Sequence, residues 1–305
     1  MKYLFSKKRL FFHCVILFIF PLSAFSQRLP QGAVPLHYQL RFTPDFQNNT
    51  FSGEEVISIR LLRPSKSITL NAAEIKFNTV SVEVNRATLP AKAFLDSDRE
   101  TANIIAGRPL PAGLVKLHIS FTGVLNDQLR GFYLSTSGGR KYAVTQFEPT
   151  DARRAFPCFD EPDRKATFGI TIIAPKSDTA ISNSKIISDT PGPGAEQHTI
   201  QFAVTPMMST YLVAMLVGQF ECAEGAADGV PIRACGVPGK KDLGVFAVRA
   251  AEHFLHYYDH YFAMKYPWSK LDMIALPDFE AGAMENIGAI TYRENALLID
   301  EKHAS

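Results

Sequence analysis

The side chains best placed to do chemistry gather near the end of the sequence, between Ala275 and Asp300. There Gly282-Ala283-Met284-Glu285-Asn286 is bracketed by Pro277-Asp278-Phe279-Glu280 and by Tyr292-Arg293-Glu294-Asn295. Gly282 and Ala283 keep side-chain bulk low where a second backbone could pass, and Glu285 puts a carboxylate beside that path. A second acid, Glu148, follows Gln146 by two residues in a long charged stretch, Thr145 to Pro162. Alone, Glu148 reads as an acid at a strand end. Asp151, Arg153, Arg154, Asp160, Glu161 and Asp163 alternate in sign along a loop and read as structural ion pairs. None of the eight histidines begins the H-E-x-x-H pattern that binds zinc on a helix. His253, His256 and His260 fall on or near one helix face and could imitate a metal cluster. On a tyrosine-rich amphipathic helix, however, histidines are more often packed or solvated. Cys158, within Phe156-Pro157-Cys158-Phe159, reads as a buried thiol and not as a nucleophile.

From Val34 to about Ala203 the dominant period is two. Tyr38/Leu40/Phe42, Ile57/Ile59/Leu61, Val80/Val82/Val84, Leu117/Ile119/Phe121 and Phe168/Ile170/Ile172 all alternate with polar neighbours, as half-buried strands do. Turn signals such as Asn48-Asn49, Ser137-Gly138-Gly139 and Pro191-Gly192-Pro193-Gly194 separate them. No long helical pattern intervenes, so antiparallel sheets packed face to face are expected. After Pro238-Gly239 the period changes. Phe246, Ala250, Phe254, Tyr257 and Tyr261 recur every three or four residues and predict an amphipathic helix from Leu243 to Phe262. A short strand, Met273 to Leu276, leads into the 282–286 segment. The fold class is therefore mainly β, with a β-sandwich first domain over 27–229 and the start of an α/β domain over 230–305.

The first 26 residues read as a secretory signal. Lys2, Lys7, Lys8 and Arg9 precede an apolar run from Leu10 to Leu22, and Ser23-Ala24-Phe25-Ser26 ends in small residues suited to a signal peptidase. The apolar run is shorter than the roughly 20 residues of a membrane-spanning helix. A secreted or periplasmic protein without a lasting membrane anchor is expected, and Cys14 lacks the context of a lipid-attachment site. With 305 residues, 46% hydrophobic and 20% charged, the chain can bury a sizeable core. Apart from the four leader bases, acids outnumber bases by two, which leaves no electrostatic footprint for nucleic acid. Export permits disulfides, and Cys222 and Cys235 lie symmetrically about the hairpin signal Asp228-Gly229. They could face each other across two strands and be bridged, or remain free.

The two charged stretches together resemble the M1 zinc aminopeptidases. Thr145-Gln146-Phe147-Glu148-Pro149-Thr150-Asp151-Ala152-Arg153-Arg154-Ala155-Phe156-Pro157-Cys158-Phe159-Asp160-Glu161-Pro162 is similar to the long signature of that family's N-terminal β domain. Gly282 to Asn286 is similar to its five-residue exopeptidase motif, and Thr205 to Leu212 and Tyr266-Pro267-Trp268 support both. The resemblance implies peptide substrates with a free N-terminus. Glu285 would accept hydrogen bonds from the α-amine, a cation below its pKa of about 8, and Glu148 would assist from the β domain. Gly282, Ala283 and Asn286 would belong to a segment that pairs with the peptide as an added strand. Met284 would line the first side-chain pocket, with Gln146 as a lesser contributor. The family works with one zinc ion, and its H-E-x-x-H motif is expected just beyond Ser305. The chain thus reads as a truncated, inactive portion of a metallo-aminopeptidase. The alternatives are a non-catalytic binding module derived from the family, or its epoxide-hydrolase branch.

Overall fold

The computed structural model describes residues 28–303, so the expected leader over 1–26 and Cys14 lie outside the described residues. Seven strands come first: β1 (Ala33–Asp45), β2 (Thr50–Leu61), β3 (Ser65–Asn71), β4 (Lys76–Val84), β5 (Ala87–Asp96), β6 (Thr101–Leu110) and β7 (Gly113–Val124). The hairpin β8 (Gly131–Ser137) and β9 (Arg140–Gln146) follows. After the charged loop come β10 (Thr167–Pro175), β11 (Thr179–Ser182), β12 (Ile186–Pro191), β13 (Gln197–Phe202) and β14 (Met215–Gly218). The remainder is β15 (Glu221–Ala227), β16 (Val230–Gly236), helix α1 (Val245–Tyr261), β17 (Leu271–Leu276), β18 (Ala283–Met284), β19 (Ala289–Arg293) and a single turn, α2 (Glu294–Leu297). The protein is mainly β, with 53% of residues in strands and 11% in helices.

Three sheets stack in layers. Ten strands form the first, in the order β12-β13-β10-β1-β2-β7-β4-β5-β6-β3; the second runs β11-β14-β9-β8; the third runs β15-β16-β17-β19-β18. Alternation explains how the middle sheet is covered on both sides. Phe132, Ala143, Met215 and Val217 share a core with Phe42, Phe51 and Ile57 of the first sheet. Their neighbours Tyr133, Val144 and Leu216 share another with Ile274, Leu276 and Met284 of the third. The positions expected to be buried on β1, β2, β7 and β10 are buried, as are Val82 and Val84, whereas Val80 is half-buried.

Three expectations need correction. Pairing is not wholly antiparallel, since β1 and β10 run parallel, with Tyr38 opposite Phe168. The change of sheet falls between Gly218 and Glu221 and not at Gly229, because β15 and β16 form one hairpin within the third sheet. The helix forms where expected, after a 3-10 turn over Lys241–Gly244, but it presents the other face to the sheet. Ala247, Val248, Ala251 and Leu255 are buried, whereas Phe246, Phe254, Tyr257 and Tyr261 are exposed. Close approach to the sheet is the reason: a Cβ on Gly225 of β15 would lie 2.6 Å from Val248 Cγ1. Val248 packs directly against the β15 backbone there, and the aromatic rings lie on the solvent side.

Candidate amine-binding site

The 282–286 segment is built on the rim of the third sheet. β18 is its edge strand and pairs with β19, Ala283 opposite Tyr292 and Met284 opposite Thr291. Among the described residues no strand covers its other side, so its outer backbone groups can accept another strand. Gly282, Ala283 and Glu285 are exposed, and a Cβ on Gly282 would meet no atom within 4 Å. Alternation turns Met284 the other way. It is 1% exposed and shares a buried cluster with Tyr133, Val144, Ile274, Leu276 and Phe279. In this chain its thioether anchors the strand. Asn286 is buried as well. Its Nδ2 donates to Thr291 Oγ1 at 3.2 Å and its backbone N–H to Met284 O at 2.9 Å, so its side chain shapes the turn.

Long-range polar contacts fix this rim. Arg293 donates through Nε to Phe279 O at 3.2 Å and through its guanidinium to Glu280 O, while its N–H bonds Gly282 O at 3.0 Å. Asp278 accepts from Ser135 Oγ and from the Thr136 N–H, both at 2.9 Å, and its carbonyl accepts from Tyr133 Oη at 2.7 Å. Burial pushes the Tyr133 phenol well up, which keeps it a donor. Asn183, fully buried, accepts from the Ala214 N–H at 2.8 Å and donates to Leu212 O at 2.8 Å and to Ile287 O at 3.0 Å. Gly288 then turns with φ +78°, and a Cβ there would sit 2.1 Å from Asn183 O. Lys270 Nζ holds Gly288 O at 2.6 Å and Asp272 Oδ2 at 2.7 Å. Burial pushes the Asp272 carboxyl up, but Arg233 and Lys270 outweigh it and hold it below the ordinary range.

The middle sheet carries Gln146 at the end of β9, with Glu148 two residues further on. Leu216 pairs with Val144 and Met215 with Ser182, so the end of β9, the start of β14 and Asn183 lie side by side. The Met215 N–H donates to Thr145 Oγ1 at 3.0 Å, and Asn183 reaches across to Ile287. Glu148 is exposed just past the end of β9. Gln146 Oε1 is buried without a hydrogen-bond partner in the protein, an acceptor left open for a donor. The other charges of this stretch are occupied: Arg153 pairs Asp160 at 2.9 Å and Glu100 at 3.0 Å, Arg154 pairs Asp151 at 2.7 Å, and Arg164 pairs Glu161 at 3.2 Å. Asp163 pairs with Arg28. Cys158 is free and buried, and burial raises its thiol pKa. Cys222 and Cys235 are bridged across β15 and β16 with a Cα separation of 4.0 Å.

Asn183, Ser135 and Tyr133 had no signal in the sequence, since each is joined to the rim over a hundred residues or more. A zinc site of the H-E-x-x-H kind does not fit the residues present. Among the described residues, one group of His, Cys, Asp and Glu side chains converges closely enough to hold a metal: Asp228, His256 and His260, at the hairpin tip beside α1.

An edge strand open on one side, with an exposed carboxylate at Glu285, is thus tied by buried contacts to the first domain, which exposes a second acid at Glu148. A model of the peptidase M1 N-terminal domain matches residues 34–212, and one of the peptidase family M1 domain matches residues 246–305. Aminopeptidase M1 of Arabidopsis thaliana is 43% identical over 288 residues, covering 91% of this chain and 32% of its own length. Aminopeptidase 2 of Candida albicans is 40% identical over 282 residues, 91% of this chain and 30% of that protein. The puromycin-sensitive aminopeptidase of Caenorhabditis elegans is 39% identical over 284 residues, 90% of this chain and 30% of that protein. The chain belongs to the M1 peptidase family and spans about a third of the length of these relatives.

Proposed function

We propose that the rim formed by β18 and the end of β9 receives the N-terminus of a peptide, in a protein that removes N-terminal residues. Glu285 and Glu148 accept hydrogen bonds from the α-ammonium group, Gln146 Oε1 offers a further acceptor, and the Gly282-Ala283 edge pairs with the peptide backbone. The observation that carries this reading is the alternation along β18. It buries Met284 as an anchor and leaves Ala283 and Glu285 exposed beside an uncovered edge. Two acids near one site repel unless a cation joins them, which favours an amine over a neutral acetylated terminus. The relatives' names make aminopeptidase activity the natural chemistry.

The family's zinc ion and general base are not furnished by these 305 residues, so we propose that this chain alone binds peptide termini weakly and does not cleave them. We further propose that it is exported, on the strength of the basic and apolar start of the sequence. An aminoacyl-nitroanilide assay of the 305-residue protein with added zinc tests inactivity: no turnover is expected, and turnover would refute it. Removal of the first 26 residues from protein recovered outside the cytoplasm tests export; an intact N-terminus at Met1 would contradict it.

A further inference from the structure

The histidines of α1 take on a different meaning once the hairpin is placed beside them. We propose that Asp228, His256 and His260 form a site for a borderline divalent transition metal such as Zn2+. His256 and His260 are one helical turn apart, with ring centroids 4.3 Å from each other. Asp228 opens the turn between β15 and β16, and its carboxylate oxygens lie 3.1 and 3.3 Å from His256 Nδ1. One ligating atom from each of the three residues lies within 4.8 Å of the other two. Donors around a tetrahedral zinc ion stand about 3.3 Å apart, so rotamer adjustment of exposed side chains closes the set.

The tautomer of His260 is already the one a metal needs. Its Nδ1 lies 2.8 Å from the His256 carbonyl oxygen, which can only accept, so Nδ1 carries the proton and Nε2 keeps its lone pair. Both histidines stand near the C-terminal end of α1, where the helix dipole favours a cation. Two imidazoles with one carboxylate select zinc, nickel or copper over calcium and magnesium, which prefer oxygen. Three protein ligands leave a coordination position open. Bound there, the ion ties the tip of the disulfide-bridged hairpin to the helix packed on it. His253, on the same helix, is not in the converging group.

The test is calorimetric titration of EDTA-treated 305-residue protein with ZnCl2, with CaCl2 as a comparison. Wild type should take up zinc saturably and show no response to calcium. The His256→Ala/His260→Ala double variant should take up one ion fewer per chain, Asp228→Asn should weaken uptake on the order of 10-fold, and His253→Ala should change nothing. Zinc should raise the melting temperature of wild type but not of the double variant. Both proteins should melt alike in EDTA, because the substituted side chains are exposed; if the double variant melts earlier, His260→Gln alone decides the point by losing uptake with the fold intact. Zinc uptake unchanged in either histidine variant, none in wild type, or loss caused by His253→Ala would overturn the proposal.

Discussion

Replacing Asn183 with alanine should loosen the whole rim, and the effect can be worked from its contacts. The side chain makes three hydrogen bonds, at 2.8, 2.8 and 3.0 Å, to Ala214 N–H, Leu212 O and Ile287 O. At about 1 kcal/mol net for each neutral bond, the variant loses roughly 3 kcal/mol, and more if no water replaces the amide. For a domain of this size that lowers the melting temperature by roughly 6–12 °C. The single tryptophan, Trp268, reports locally, since a Cβ on Gly288 would lie 2.9 Å from its ring. Urea denaturation followed by its fluorescence measures the loss. Asn183→Asp should be no better than alanine, because it sets a carboxylate against the Leu212 and Ile287 carbonyl oxygens. A loss under about 1 kcal/mol, or an aspartate variant more stable than the alanine one, would show that Asn183 does not clamp the segment.

Two further predictions concern stability. Glu55 is buried with both carboxylate oxygens unpartnered, and desolvation raises its pKa well above the ordinary value. The folded state therefore holds a proton that the unfolded state releases, and stability falls as pH rises from about 4.3 toward the raised value, by at most about 1.4 kcal/mol per pH unit. Glu55→Gln should stabilise the protein at neutral pH and flatten that part of the profile; an unaltered slope in urea titrations at several pH values would count against it. On α1, Leu255→Ala should cost roughly 2–5 kcal/mol, whereas Phe254→Gln and Tyr261→Gln should stay within about 0.5 kcal/mol. The reverse order in thermal melts would mean that the aromatic face is the packed one.

Much of this structure was readable from residue order, for physical reasons. Period-two patterns such as Tyr38/Leu40/Phe42 announce a face of a sheet, and the structure buries all three. Hydrophobicity alone could not say which stripe of α1 meets the sheet. The stripe of Ala247, Val248, Ala251 and Leu255 is the buried one, and Gly225, lacking a side chain, lets Val248 approach the backbone of β15. Asp228-Gly229 correctly marked a hairpin, but a turn signal does not tell whether its strands close one sheet or open the next. In the site, the edge character of β18 and the contacts of Asn183, Ser135 and Tyr133 depend on partners distant in sequence, which local pattern cannot show. The charged stretch was legible in kind: its arginines and acids pair with one another and leave Glu148 exposed.

We propose that Glu285, beside an open strand edge, distinguishes a free α-amine from a blocked one. This is tested by titrating the 305-residue protein with a tripeptide and with its N-acetylated twin at pH 7, in wild type and in Glu285→Ala, with NMR shifts as the readout. A charge-assisted hydrogen bond contributes about 1.5–3 kcal/mol, so wild type should prefer the free amine by roughly 10- to 100-fold and Glu285→Ala should lose that preference. Equal affinity for the two peptides in wild type, or a preference that survives Glu285→Ala, would contradict the account.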